Sequence, residues 1–84
     1  MGDKMTNSKH EDIYNIIGKN IKKYRKQKGI TQHELAESLL LSDSFIAKLE
    51  SITHQTISID TLEEIANVLE CDIRDFFERE NDKK

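Results

Sequence analysis

The stretch "ESLLLSDSF", Glu37 to Phe45, sets three leucines in a row, Leu39 to Leu41, inside an otherwise strongly polar chain. On its own it fits a strand, the middle of a longer buried helix, or a turn that lacks the usual glycine. The flanks decide among these. Upstream, "ITQHELAESL" begins with a capping box, in which Thr31 caps a helix and Glu34 reaches back to its amide. Leu35, Ala36 and Leu39 then form one short apolar stripe. Downstream, Ser42 is placed to cap a second helix, and "DSFIAKLES" sets Ile46 and Leu49 on a single face. The leucines therefore span a break of about three residues between two short helices.

The same periodicity extends outward in both directions. Ile13, Ile17, Ile21 and Tyr24 recur at spacings of four, four and three, which predicts a first helix over about residues 11–28. It ends in a lysine-rich turn followed by Gly29, where cations suit the helix dipole and glycine accepts a left-handed cap. After "THQT", a helix capped by Ser58 or Asp60 carries the stripe Ile59, Leu62, Ile65, Ala66 and Leu69. Cys71-Asp72 reads as a break with a new cap, and Ile73, Phe76 and Phe77 supply a last short helix. The expectation is an all-α chain of five helices with no strand. Residues 1–10 read as a flexible N-terminal tail, 11–79 as one domain, and 80–84 as a polar C-terminal tail.

Composition agrees with helices joined by short turns: 84 residues with no proline, three glycines and 35% charged side chains. No apolar run approaches the roughly 18 residues of a membrane span, and no signal peptide opens the chain. Cys71 is the single cysteine, so no internal disulfide forms, and a reducing, cytoplasmic setting is expected. So small a domain needs further stabilisation, and self-association is the expected source.

Charge is divided unevenly. Residues 1–59 hold nine Lys/Arg against seven Asp/Glu, whereas residues 60–84 hold four against nine. Lys19 to Lys28 alone carries six cations and no anion. Such a chain can present one face to a polyanion and turn the other away. Chemistry of other kinds finds little support. His10, His33 and His54 lack companions at metal-ligand spacing, Cys71 has no activating neighbour, and no phosphate-binding glycine loop, nucleophile elbow or calcium loop occurs. No enzyme, metal or cofactor is expected.

The two short helices fit the helix-turn-helix geometry, in which the second helix is offered to a DNA major groove. Ala36 is small enough for a close crossing, and Ile46 and Leu49 pin the second helix from behind. Ser42, Asp43 and Ser44 keep its N-terminal end short and polar, and Gln32 places a donor at the start of the first. At this point "TQHELAESLLLSDSFIAKLES", with "IGKNIKKYRKQKGIT" before it and "SIDTLEEIANVLECDIRDFF" after it, resembles the Cro and phage-repressor (XRE-like) transcription regulators. The likeness covers roughly residues 13–77, and SinR-type repressors and restriction-modification controller proteins are the most similar branches.

The resemblance implies a compact, lambda-repressor-like DNA-binding domain of bacterial or phage origin, associated with the nucleoid, that binds an operator as a dimer. It gives Gln32 a phosphate contact, places Asp43, Ser44, Ala47 and Lys48 where bases are read, and puts Phe45 at a position that often contacts DNA. Packing in the core is the alternative reading of Phe45. Thr53, His54, Gln55 and Thr56 match a loop that holds backbone phosphates, and Arg25 and Glu50 match a salt bridge between helices one and three. The sequence departs from the pattern where Asp43 replaces a common donor, Ser51-Ile52 replaces Arg-Gly, and Leu40 stands in place of glycine.

Two adjacent phenylalanines cannot point the same way on a helix, so Ile73, Phe76 and Phe77 are expected to form a two-fold dimer contact. Recognition helices would then lie about 34 Å apart, one turn of DNA. An antitoxin or antagonist that captures a protein partner through the acidic, aromatic C-terminal helices is the alternative.

Overall fold

The computed structural model describes residues 11–79, so the expected tails at 1–10 and 80–84 lie outside the described residues. Four α-helices follow in order: α1 (Ile13–Lys28), α2 (Gln32–Leu39), α3 (Asp43–Glu50) and α4 (Ile59–Leu69). The expected fifth helix is instead a 3-10 turn, Ile73–Phe77. Five residues are too few to sustain α-helical hydrogen bonding. This segment is held by an Asp72/Asp75 capping box, and the Asn20 amide takes the Phe76 and Glu78 carbonyls at 2.8 and 2.9 Å.

Each helix begins where a side-chain oxygen can accept an orphan amide. Asp12 caps α1 through Tyr14 N, which starts that helix two residues later than expected. The Thr31/Glu34 box is closed in both directions, at 3.0 and 2.8 Å. Ser42 and Ser58 cap α3 and α4, so Ser58 rather than Asp60 starts the latter. Three helices end in one motif, a left-handed residue followed by an amide bonded back five positions: Ile30 N to Arg25 O, Leu41 N to Ala36 O, and Cys71 N to Ala66 O. Glycine occupies the left-handed position only at Gly29; Leu40 and Glu70 adopt it with φ 58°.

The core joins Ile17 and Ile21 of α1, Leu35 and Ala36 of α2, Ile46 and Leu49 of α3, the α4 stripe from Leu62 to Leu69, and Phe76. Two expected members are corrected. Ile13, in the first turn of α1, is partly exposed, while Ile17, Ile21 and Tyr24 lie on the core as expected and Ile16 and Asn20 widen the buried face. Ile59, the first residue of α4, points out, and Ile57 packs on the core in its place. Leu39 and Leu41 also pack inward, whereas Leu40 is 93% exposed.

Gly18 sets the approach of α1 to α3. A Cβ built there would lie 1.8 Å from the Leu49 carbonyl oxygen, so only glycine allows this crossing. Among the described residues, no helix is long and apolar enough to cross a membrane.

Candidate nucleic-acid interface

α3 has two distinct sides. Ile46 and Leu49 face the core, while Asp43, Ser44, Ala47 and Lys48 are exposed on the outer side. Ser42 Oγ accepts the Phe45 amide at 3.0 Å, so this hydroxyl fixes the helix start. Of the two positions open to Phe45, the structure gives the inner one in part: its ring is half-buried against the core.

Behind α3 lies a buried ionic cluster. Arg25 Nε and Nη2 donate to the two Glu50 oxygens at 2.7 and 2.9 Å, and Nη1 donates to the Ile30 carbonyl at 2.7 Å. Both side chains are nearly closed to solvent. The paired oxygens satisfy the guanidinium fork that burial would otherwise leave costly. Gln32 joins them by donating to Glu50 Oε1 at 3.0 Å. One amide N–H is thus committed to Glu50, while the second N–H and the amide oxygen of this half-buried side chain carry no protein partner among the described residues. The cluster ties α1, the start of α2 and the end of α3 into one support.

Two histidines have partners that no local spacing reveals. His33, in the first turn of α2, sets Nδ1 3.0 Å from both Asp43 oxygens, linking the N-terminal ends of α2 and α3. The Asp43 hydrogen bond and charge, with Glu37 and Glu34 nearby, raise the His33 pKa above its ordinary value. Asp43, placed by the sequence among base-reading residues, is therefore already engaged. His54 lies in the loop after α3 at φ 57°, with its amide on Asn15 Oδ1 at 2.9 Å and its ring on the Asp12 carboxylate. Tyr14 meets that ring edge-on, with centroids 5.0 Å apart. The hydrogen bond from His54 holds the Asp12 carboxyl below its ordinary range.

The other loop residues are partly committed as well. Thr53 Oγ1 and Ser51 Oγ both donate to the Lys48 carbonyl at 3.1 Å, finishing α3. Gln55 Nε2 donates to the Thr56 carbonyl at 3.0 Å, and the Thr56 side chain is exposed. The first half of the loop is therefore tied to the end of α3 through Ser51 and Thr53 and to the N-terminus of α1 through His54. Sequence reasoning found the loop but not Asp12 and Asn15, the residues that hold it.

At the far side of the molecule, Phe76 is fully buried and meets Tyr24 edge-on, so it has no surface to offer a second copy. Ile73 is half-buried, and Phe77 is 38% exposed. Cys71 is partly covered and burial pushes its thiol up, away from a reactive thiolate. Among the described residues, no three His, Cys, Asp or Glu side chains gather closely enough to hold a metal.

Comparison with known proteins places this geometry. The profile of the helix-turn-helix family matches residues 21–76. The HTH-type transcriptional regulator SinR of Bacillus subtilis (strain 168) is 31% identical over 67 residues, covering 80% of this chain and 60% of that protein. SinR of Bacillus licheniformis is 36% identical over 58 residues, 69% of this chain and 52% of its own. The HTH-type transcriptional regulator SlrR of Bacillus subtilis (strain 168) is 32% identical over 65 residues, 77% of this chain and 43% of its own. The chain thus spans about half the length of the curated relatives it matches. No solved structure gives a significant match.

Proposed function

This chain belongs to the helix-turn-helix family, and we propose that it is a cytoplasmic, sequence-specific DNA-binding transcriptional regulator. It acts as a repressor or controller on a pseudo-palindromic operator. The observation that carries this reading is the two-sided α3: Ser44, Ala47 and Lys48 face outward, while Ile46, Leu49 and the Arg25–Glu50 pair hold the helix rigid from within. Side chains on a helix so held can meet base edges without first being ordered, which preserves binding energy for discrimination. The Thr53–Thr56 loop, anchored through Thr53 and His54, supplies the adjoining backbone contact.

Only Lys48 is basic on the reading face, so a single copy binds modestly and two copies are needed. The dimer forms through the 3-10 turn, with Phe77 as its apolar centre and Ile73 at the edge. Selection of duplexes from a random pool tests the reading directly, and recovered half-sites should be related by a two-fold axis and spaced by one turn. Replacing Ser44 and Lys48 by alanine should weaken the selected duplex far more than it changes melting. Unchanged affinity in that variant would remove α3 from the reading surface, and a monomer at high micromolar concentration would remove the dimer.

A further inference from the structure

The outer side of α1 is not used by the proposed base-reading surface. Lys19, Lys22, Lys23 and Lys26 line one groove of about 400 Å³, together with Ile52 and Glu50 at the end of α3. These lysines stand at i, i+3, i+4 and i+7, so they pair like with like along the helix, which destabilises it in isolation. Little nearby charge relieves them. Lys19 reaches Glu11 at 2.9 Å and Lys23 lies over the Tyr24 ring at 5.2 Å, but among the described residues Lys22 and Lys26 have no ionic partner. The Glu50 carboxylate beside them is already taken by Arg25 and Gln32. The groove also borders the loop that begins at Ile52, so it continues the surface formed by α3 and Thr53–Thr56.

We propose that Lys19, Lys22, Lys23 and Lys26 form a strip that grips the phosphates of DNA flanking the half-site read by α3. The proposal rests on the DNA-binding reading above. Such a strip adds affinity and salt dependence without adding sequence discrimination, because phosphates carry no base identity. A strip of this kind also compensates for the weakly basic reading face.

The test compares the whole chain with Lys22→Gln/Lys26→Gln on a duplex selected from a random pool. That duplex is used once trimmed to its protected core and once with ten added base pairs on each side. On the long duplex the slope of log affinity against log salt should become shallower by about 0.9 for each lysine removed per protomer. On the trimmed duplex it should hardly change, and the penalty for a mismatched half-site should stay the same. Lys22→Arg/Lys26→Arg should keep the wild-type slope, and thermal melting of both variants should match or exceed wild type. Equal slopes for wild type and Lys22→Gln/Lys26→Gln on the long duplex would overturn the strip while leaving the α3 reading intact. So would a variant that loses self-association but keeps its slope, since the lysines would then meet the acidic segment of a second copy. Wild-type protein that retains no duplex from the pool would overturn both.

Discussion

Leu40→Gly should stabilise the protein, and its size follows from three terms. Leu40 sits at φ 58° and ψ 38°, a left-handed conformation that clashes with a Cβ and costs a non-glycine residue about 1–2 kcal/mol. Glycine removes that cost but widens the unfolded ensemble, which offsets about 0.4–1 kcal/mol. The third term is lost burial, and it is close to nothing because the side chain is 93% exposed. The terms combine to about 0–1.6 kcal/mol with a middle value of about 0.8 kcal/mol, or a rise of roughly 3–6 °C in Tm for a domain of this size. Urea titration followed by circular dichroism would measure it, with Leu40→Ala as control. Alanine removes the side chain but keeps the Cβ and the strain, so it should stay within about 0.5 kcal/mol of wild type. A glycine variant no more stable than wild type, or an alanine variant that gains as much, would refute the strain argument. Binding to a selected duplex should be unchanged in either case, since Leu41 and Ser42 still fix the entry to α3.

Glu50→Gln leaves the buried Arg25 guanidinium without a countercharge and should destabilise by about 3–5 kcal/mol in urea titration, whereas Arg25→Met/Glu50→Leu should lose much less. Gly18→Ala drives a methyl into the Leu49 carbonyl, which cannot rotate away, so a loss of about 3 kcal/mol is expected by the same method. A loss under about 1 kcal/mol there would mean α1 can slide off α3. His33 should titrate above its ordinary value near 6.5 by NMR, and Asp43→Asn should return it toward that value. Because folding raises this pKa, the pair's stabilisation is complete below the unfolded value and fades as pH rises through the folded one. The Tm gap between wild type and Asp43→Asn should therefore narrow on going from mildly acidic to mildly alkaline pH, and a gap independent of pH would show that His33 gains nothing from Asp43.

What the sequence made legible was whatever is local. The capping box at Thr31 and Glu34, the caps at Ser42 and Ser58, and the apolar stripes all act within about four residues, so each leaves a pattern in the chain. The Arg25–Glu50 pair spans 25 positions and was reached only through resemblance; no spacing rule joins those two residues. Gln32 marks the boundary between the two kinds of knowledge. Its place at the start of α2 was readable, but its partner was not, because an amide at a helix end can turn toward a phosphate or toward a buried carboxylate. The structure puts it on Glu50. The partners of Asn20, Gly18, His33 and His54 went unread for the same reason: each is 10 to 58 positions away or on another helix. The 3-10 turn failed differently. Its Asp72 cap and apolar residues are legitimate helix signals, yet five residues cannot repay helix nucleation, and the Asn20 amide satisfies carbonyls that a longer helix would have used itself. Adjacent phenylalanines require that one face outward, but which one is set by packing between distant segments: Phe76 enters the core beside Tyr24 and Phe77 stays at the surface.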